Sequence, residues 1–298
     1  MQHLINDKDF SKEEIWQIFK LAKELKDKQK KGEPHELLKG KSLAMIFQKP
    51  STRTRVSFEV AMTQLGGHAL NLAAQELQLG RGETISDTAR VLSRYVDGIM
   101  ARVFSHQNII DLAKNSGIPV INGLSDKFHP CQALTDIFTV WEKRQNLENL
   151  TIAFVGDGDN NVTNSLLLLC DTLGINFKVA CPEKYIIKKE ILDLAEKEIE
   201  ISNDPKTIVK NADVIYTDTW VSMGRDDTEE RIEALTPYQV NKELVSLAKK
   251  EVLVMHCLPA HRSQEITDEV MDGPNSVIFD QAENRLHVQK AILVKLLK

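Results

Sequence analysis

The chain of 298 residues is long enough for two ordinary α/β domains or one large domain. Its composition, 42% hydrophobic and 27% charged, is that of a soluble globular protein with a sizeable core. A formal net charge of −5 argues against a general nucleic-acid binder and against a basic protein of membrane surfaces. Any anion site in this chain must therefore come from a local concentration of arginine.

The four cysteines are scattered along the chain and form no CxxC pair. This pattern is typical of free thiols in a reducing cytosol, and it argues against a disulfide framework or a structural zinc site. The N-terminus is polar, and no apolar run approaches the roughly 18 residues of a membrane span. We therefore expect a cytoplasmic protein.

The first half of the chain alternates predicted helices and strands. A helix begins at the capping sequence Ser11–Glu14, and the apolar run Leu43–Phe47 predicts a buried strand that leads into a helix after Ser51. The polar, glycine-containing segment Gln75–Gly82 is expected to be an exposed loop. The other predicted elements are strand 68–72, helix 84–95, strand 98–103, helix 105–115, strand 119–122 and helix 130–144.

A polar run, Arg144–Asn149, interrupts this alternation, which then restarts. The second half is predicted to contain strand 151–155, helix 161–173, strand 177–181, helix 186–197, a short helix from 204, strand 214–217, helix 237–249, strand 252–257, strand 277–279 and helix 283–298. Strands that alternate with helices predict mostly parallel sheets with covered faces.

The sequence therefore predicts an α/β protein with two doubly wound parallel-sheet domains, residues 1–144 and 145–282, with helix 283–298 packing back near the first. Ligands of such sheets bind beyond the carboxyl ends of the strands. We expect the active site in the cleft between the two domains.

The stretch Ser51–Arg55 lies at a predicted strand-to-helix turn and contains three hydroxyl residues and two arginines. Backbone N–H groups at a helix start have no intrahelical partner, and the helix dipole adds positive charge there. Amide, hydroxyl and guanidinium donors at one point predict a phosphate site. The alternative is a capped helix with solvated arginines. The GxxxxGK[ST] pattern of a P-loop is absent from the sequence.

Polar residues also follow other predicted strands of the first domain. Arg102 ends strand 98–103, where it is either the first residue of a loop or a second donor to a phosphate or carbonyl group. His129 precedes a proline and is held out of helical geometry, and Gln132 follows one turn along. At a helix start, a histidine can donate a hydrogen bond to the carbonyl oxygen of a small ligand, and a glutamine side chain can accept one from the ligand's NH2. A lone histidine, however, is often structural.

Three strand ends of the second domain carry candidate ligand residues. The stretch Gly156–Asn161 has asparagine where a dinucleotide fingerprint would need Gly or Ala, so it favours a small polar ligand. Asp218 can pair with an ammonium group, and Ser222 adds a hydroxyl. Cys257 follows a histidine and is a candidate nucleophile, metal ligand or inert thiol, although no His/Cys cluster completes a zinc site.

Taken together, these stretches resemble the ornithine carbamoyltransferases nearly end to end. The matching motifs are KPSTRTRVSFE (49–59), QLG (78–80), DTARVLSRY (87–95), MAR (100–102), FHPCQALTD (128–136), DTWVSMG (218–224), MHCLPAHR (255–262) and AENRLHVQKAIL (282–293). STRTR and HPxQ are shared with the aspartate carbamoyltransferases, whereas SMG and HCLP single out the ornithine branch.

The resemblance implies transfer of the carbamoyl group from carbamoyl phosphate to the δ-amine of L-ornithine, which gives L-citrulline and phosphate. It implies that carbamoyl phosphate is bound by Ser51, Thr52, Arg53, Thr54, Gln78 of a neighbouring subunit, Arg102, His129, Gln132, Cys257, Leu258 and Arg285. It implies that ornithine is bound by Asn161, Asp218, Ser222 and Met223, with Asp218, Cys257, Arg102 and His129 as the catalytic residues. It also implies a homotrimer or a larger assembly of trimers, with no metal and no organic cofactor.

One departure concerns the loop at Gly156–Asn161, which is one residue longer than the family's usual GDGNN. Either Asn160 or Asn161 can then take the ornithine carboxylate, and we favour Asn161. Two alternatives stay open: a carbamoyltransferase for another amine, such as putrescine, an acylated ornithine or aspartate, and a non-catalytic amino-acid-binding protein of the same fold.

Overall fold

The computed structural model describes residues 2–73, 82–221 and 228–298. The first part of the chain forms α1 (Lys12–Lys30), β1 (Ser42–Phe47), α2 (Thr52–Gln64), β2 (His68–Ala73), α3 (Ile85–Leu92), β3 (Gly98–Arg102), α4 (His106–Asn115), β4 (Val120–Leu124) and α5 (Pro130–Arg144). The second part forms β5 (Thr151–Val155), α6 (Asn161–Leu173), β6 (Asn176–Ala180), α7 (Lys189–Leu192), β7 (Glu200–Ser202), α8 (Pro205–Val209), β8 (Val214–Thr217), α9 (Thr228–Leu235), α10 (Lys242–Ser246), β9 (Leu253–His256), α11 (Asp268–Met271) and α12 (Ile278–Leu297).

These elements form two compact units, one of Met1–Thr135 with Asn284–Lys298 and the other of Asp136–Glu283. Each unit has a parallel sheet, so the prediction of two parallel α/β sheets is confirmed. No helix within the described ranges combines the length and the apolar character needed to cross a membrane.

The sheet of the first unit has the strand order β2-β1-β3-β4, and every pairing is parallel. Strand β1 is almost wholly buried because neighbouring strands flank it and helices cover its faces, which explains its continuous apolar run. The strand order reverses between β1 and β3, where Phe47 pairs with Arg102. The carboxyl ends of these two strands therefore define the topological switch point of the unit.

The last helix, α12, packs against the start of β3 in the first unit. A Cβ added to Gly98 would lie 2.5 Å from Leu297 Cδ2, so the close approach of helix and strand requires glycine. Ala291 and Ile292 on α12 are fully buried.

The sheet of the second unit has the order β7-β6-β5-β8-β9 and is also parallel throughout. Here the order reverses between β5 and β8, so the loop after β5 and the loop after β8 flank the switch point. These loops begin at Gly156 and Asp218, where the sequence predicted polar ligand residues.

Several predicted elements of the second unit are wrong. Strand 277–279 does not form, because Ile278 already begins α12. Helix 186–197 is limited to α7, and strand β7 and helices α9 and α11 were not predicted. Helix 237–249 is a 3₁₀ turn at Thr236–Tyr238 followed by the short α10. The loop predicted at 75–82 falls mainly outside the described residues.

Candidate active site

Four residues predicted to bind phosphate lie at the start of α2. Ser51 is the N-cap; its Oγ accepts a hydrogen bond from the Thr54 N–H at 3.3 Å and donates one to Thr54 Oγ1 at 3.1 Å. Thr52 and Arg53 are exposed, whereas Thr54 is buried. N–H groups of the first turn and the positive helix end meet here, an environment that favours an anion. The serine cap is thus part of the site that the sequence predicted.

The guanidinium of Arg285 joins two other predicted site residues of the first unit. Its Nη1 donates to Gln132 Oε1 at 2.5 Å, and its Nη2 donates to Thr54 Oγ1 at 3.4 Å. Arg285 is on α12, Gln132 on α5 and Thr54 on α2, so three helices far apart in sequence converge at this point. Arg285 is only 5% exposed, and a buried guanidinium is stable only when its donors are satisfied.

Gln289, one turn after Arg285 on α12, fixes the same guanidinium from behind. With the Gln289 amide oxygen facing Arg285, it accepts from Nε at 3.2 Å and from Nη2 at 2.9 Å. The amide nitrogen then donates to Ser57 Oγ on α2 at 2.5 Å. Gln289 is not among the predicted site residues, although its i+4 spacing from Arg285 is a signal that could have found it.

His129 is buried near two cations. Burial lowers the pKa of His129 well below its ordinary value, and the charges of Arg285 and then Arg102 lower this pKa further. The imidazole is therefore neutral at pH 7, with one ring N–H to donate and one ring nitrogen to accept. A neutral donor beside two guanidinium groups is suited to an oxygen that gains negative charge.

The loop before His129 is held by a buried polar network that the sequence analysis missed. Ser125 Oγ accepts from the Phe128 N–H at 3.2 Å, and Asn122 Nδ2 donates to the Ile5 carbonyl at 2.8 Å. His106 Nδ1 lies 2.9 Å from Ser125 Oγ, and the His106 ring packs edge-on against Phe128. These contacts fix the backbone that leads into His129.

In the second unit, the two asparagines of the Gly156–Asn161 loop differ in their hydrogen bonds and exposure. Asn160 is the N-cap of α6: its Oδ1 accepts from Val162 N and Thr163 N, both at 2.8 Å, and its Nδ2 donates to the Asp157 carbonyl at 3.0 Å. Its amide is thus committed to the loop. Asn161 is the first residue of α6 and is partly exposed.

Asp218 and Cys257 are in direct contact at the ends of β8 and β9. The Cys257 thiol donates to Asp218 Oδ1 at 2.8 Å, and the same oxygen accepts from the Thr219 N–H at 2.7 Å. Burial raises the pKa of Cys257 well above its ordinary value, and the nearby Asp218 charge raises it further. Burial also raises the pKa of Asp218. Cys257 is therefore a thiol at neutral pH and lacks the thiolate character of a nucleophile.

His256 organises the turn that carries Cys257 and Leu258. Its Nδ1 accepts from the Leu258 N–H at 2.9 Å, so its proton is on Nε2, which lies 3.0 Å from Glu265 Oε1. Leu258 has a positive φ of 58°, and its peptide bond to Pro259 is cis. The hydrogen bond from the Leu258 N–H to the His256 ring holds the backbone of this turn.

The side chains of Asp218, His256 and Cys257 also form a group of potential metal ligands, with ligand atoms within 4.8 Å of one another. Both ring nitrogens of His256 are already hydrogen-bonded, and Cys257 is a protonated donor to Asp218. Metal binding would have to break these hydrogen bonds and remove the thiol proton. The present bonding fits the stabilisation of the turn and not a metal site.

A second buried network lies behind this turn. Asp136 Oδ2 accepts from the Tyr216 hydroxyl at 2.9 Å, and Asp136 Oδ1 accepts from Gln281 Nε2 at 2.7 Å. Gln281 Oε1 in turn accepts from the His256 N–H at 3.1 Å. Burial and the charge of Asp136 hold the pKa of Tyr216 well above its ordinary value. No local sequence pattern indicates this network, since its members are far apart in the chain.

The structure therefore places the predicted residues in two groups, one in each unit. The first unit holds Ser51, Thr52, Arg53, Thr54, Arg102, His129, Gln132 and Arg285, and the second holds Asn161, Asp218, Cys257 and Leu258. The predicted residues Gln78, Ser222 and Met223 lie outside the described residues.

Comparison with known proteins gives the family. Residues 2–142 match the carbamoyl-P binding domain of aspartate/ornithine carbamoyltransferases, and residues 148–296 match the Asp/Orn binding domain of the same enzymes. The chain therefore belongs to the aspartate/ornithine carbamoyltransferase family.

Similar relatives within this family are named ornithine carbamoyltransferases. The protein from Pyrococcus horikoshii is 58% identical over 297 residues, which cover 97% of this chain and 93% of the relative. That from Archaeoglobus fulgidus is 56% identical over 100% of this chain and 98% of the relative. The solved structure of the Pyrococcus furiosus enzyme has a TM-score of 0.95 at 56% identity, covering 99% of this chain and 97% of that one. The resemblance inferred from the motifs is thus confirmed.

Proposed function

We propose that this protein transfers the carbamoyl group of carbamoyl phosphate to the δ-amine of L-ornithine, giving L-citrulline and phosphate. Relatives at 52–58% identity that are named ornithine carbamoyltransferase support this reaction. The observation that carries it is the convergence of Thr54, Gln132 and Arg285 in the first unit, since these side chains offer complementary partners to one small phosphorylated amide.

The phosphate group is bound at the start of α2. Ser51, Thr52 and Thr54 supply hydroxyl and backbone N–H donors, and Arg53 supplies a guanidinium that also stabilises the phosphate as it leaves. By resemblance to the family, Gln78 of a neighbouring subunit completes this site. The charge on the phosphate is thus met by arginine and the helix dipole, so the reaction needs no metal ion at this point.

The carbonyl oxygen of the carbamoyl group faces Arg102, His129 and Thr54. Negative charge develops on this oxygen in the tetrahedral intermediate, and donors already aimed at it lower the barrier. The depressed pKa of His129 supports this role, because a neutral imidazole donates a hydrogen bond without the cost of a buried third cation. Loss of one such donor typically costs about 3–4 kcal/mol.

The carbamoyl NH2 donates to Gln132 Oε1 and to the Leu258 carbonyl. Gln132 Oε1 already accepts from Arg285 and has a second lone pair for the substrate. Arg285 supports the same ligand by fixing the orientation of Gln132. An ester or anhydride that lacks the NH2 would leave these acceptors unpaired, which gives the site its preference for a carbamoyl group.

Ornithine is bound by residues of the second unit. Asn161 takes the α-carboxylate, because the amide of Asn160 is already used by the helix cap. Asp218 pairs with the α-ammonium group, and Cys257 lies by the reacting amine. The family resemblance adds Ser222 and Met223 to this set.

The reaction forms a bond between the δ-nitrogen and the carbonyl carbon, and it breaks the bond between that carbon and the bridging phosphate oxygen. The electron pair of the broken bond leaves with phosphate. The δ-amine resembles lysine, whose unperturbed pKa is about 10.4, so it must lose one proton before attack and a second after it. The neutral thiol of Cys257 and the carboxylate of Asp218 orient this amine without forming a covalent intermediate.

We also propose a homotrimer whose subunits share active sites, a cytoplasmic location and a role in arginine biosynthesis. The trimer rests on the motif at Gln78 and on the family resemblance. The biosynthetic role has support from the relative of Pyrococcus furiosus, which is 58% identical and is named an anabolic ornithine carbamoyltransferase.

The test is citrulline formation by the purified protein after treatment with a chelator. Ornithine, putrescine, N-acetylornithine and aspartate are compared side by side with carbamoyl phosphate, and phosphate release is measured in parallel. We expect turnover with ornithine to exceed that with each of the others by at least about a hundredfold, because buried polar groups lose their partners with the wrong substrate. Preference for another amine, or binding of ornithine without phosphate release, would contradict the proposal.

A further inference from the structure

A buried ion pair in the second unit lies outside the set of residues assigned to the reaction. Arg231 Nη1 on α9 donates to Asp157 Oδ2 at 2.5 Å, and the two side chains are 2% and 4% exposed. The guanidinium also lies over the ring of Tyr185, 4.2 Å from its centroid. A fully buried pair of charges is costly in free energy unless its geometry is well satisfied, so its presence at a strand end calls for a function.

Asp157 organises the loop between β5 and α6 through its other groups. Its Oδ1 accepts from the Asp159 N–H at 3.0 Å, and its backbone carbonyl accepts from Asn160 Nδ2 at 3.0 Å and Thr163 Oγ1 at 3.1 Å. The Asp157 carboxylate therefore connects the loop that precedes α6 with helix α9, which carries Arg231.

The same loop is packed too tightly to find another conformation at low cost. A Cβ added to Gly158 would lie 2.6 Å from the Tyr185 carbonyl oxygen and 2.9 Å from Cys181 Sγ. Tyr185 also lies under the Arg231 guanidinium, so both packing and the ion pair hold this loop. The position of Asn161, the next residue after the N-cap, follows from both.

We propose that the Arg231–Asp157 ion pair is a positioning device for the α-carboxylate of ornithine, and this inference rests on the proposed function. The pair fixes the loop that presents Asn161 to the carboxylate. It also neutralises Asp157, whose charge, four residues from Asn161 and in a buried environment, would otherwise repel that carboxylate. Neither residue contacts substrate; both act through the loop.

The test compares the single variant R231Q with the double variant D157N/R231Q. R231Q leaves an uncompensated buried carboxylate, which by itself strongly destabilises the fold, whereas the double variant removes both charges and keeps polar groups at both positions. The matched control is D213N/K249Q, which removes the Asp213–Lys249 ion pair of the same unit. Asp213 accepts from the Thr151 N–H, at the opposite end of β5 from Asp157.

We expect D157N/R231Q to raise the KM for ornithine and the inhibition constant of L-norvaline at least about tenfold. Norvaline keeps the α-amino and carboxylate groups but lacks the δ-amine. The KM for carbamoyl phosphate should stay within about twofold. The control D213N/K249Q should shift the melting temperature and leave both KM values and the inhibition constant of norvaline unchanged. A purely structural role predicts instead that the double variant and the control behave alike.

An unchanged ornithine KM in the double variant, or a parallel rise in the KM of both substrates, would overturn the inference. Either result leaves the proposed function intact as long as the wild-type enzyme in the same series forms citrulline. Failure of the proposed function has a different signature, because the wild-type protein itself would then produce none.

Discussion

The Cys257 thiol donates a hydrogen bond to the Asp218 carboxylate, with 2.8 Å between Sγ and Oδ1. This contact assigns the thiol proton, because the pKa of Cys257 is raised by burial and by the charge of Asp218. A thiolate in this position would face a carboxylate at hydrogen-bond distance. Cys257 therefore acts by donating to Asp218 and by lining the amine site, and an attack of its sulfur on carbamoyl phosphate is disfavoured.

Replacement of Cys257 tests this role. In C257S the hydroxyl keeps a donor to Asp218, and we expect kcat/KM for ornithine to fall by about tenfold or less. C257A leaves a buried carboxylate oxygen short of one donor, which costs about 1–3 kcal/mol, or roughly fivefold to 150-fold. A covalent mechanism predicts near-complete loss in both variants. Mass spectrometry of acid-quenched turnover should also find no carbamoyl adduct on the wild-type protein.

Arg285 gives a second prediction. The variant R285M removes the donor that orients Gln132 and the charge near the carbamoyl group. Because charged hydrogen bonds are worth about 1.5–3 kcal/mol each, we expect kcat/KM for carbamoyl phosphate to fall about a hundredfold or more. The matched control is K295M on the same helix, which breaks the 2.8 Å pair between Lys295 and Glu14. Steady-state kinetics should show an unchanged KM for carbamoyl phosphate in K295M, and equal losses in both variants would contradict the assigned role.

The pKa of His129 predicts how stability depends on pH. Because the folded state lowers this pKa, the unfolded chain binds more protons just below pH 6.5, and the free energy of unfolding falls as the pH falls through that range. In H129N this contribution disappears, so the pH dependence below about 6.5 should be shallower than in the wild type. Urea unfolding at pH 5.0 to 7.5 measures this pH dependence of the free energy of unfolding, with H68N at an exposed site as the control. Parallel curves for H129N and the wild type would contradict a buried neutral imidazole.

Much of the fold could be predicted because local patterns decided it. The apolar run that ends at Phe47 predicted a buried strand, and Ser51 was at a position where a helix cap is expected; the structure has both. Short apolar runs were less informative. The run at Val277–Phe279 was predicted as a strand, yet it opens a 20-residue helix, since three apolar residues have no distinguishable period.

The candidate site likewise contains residues that the sequence predicts and residues that it does not. Residues that follow a strand and carry a charge, such as Arg102 and Asp218, were predictable from the rule that ligands bind at the carboxyl ends of parallel strands. The buried partners of the loops at the strand ends were not predictable, because they are far apart in the chain. The Arg231–Asp157 ion pair joins residues 74 positions apart, and the Gln281–Asp136 hydrogen bond joins residues 145 positions apart. Such contacts follow from the packing of helices on the sheet and leave no local pattern in the sequence.

Lys290, a buried lysine on α12, gives the last prediction. Its Nζ lies 2.8 Å from Gln29 Oε1, 3.0 Å from Gln64 Oε1 and 3.1 Å from His35 Nε2, and burial lowers its pKa from 10.5 to about 8. Between these two values the unfolded chain holds a proton that the folded protein has released, so the free energy of unfolding rises with pH, by up to about 3 kcal/mol. Urea unfolding of K290M at pH 7.5, 9 and 10 should lack this rise, whereas the exposed-site control K8M should retain it. If K290M rises as steeply as the wild type, Lys290 stays charged in the fold and its amide partners compensate fully for its burial.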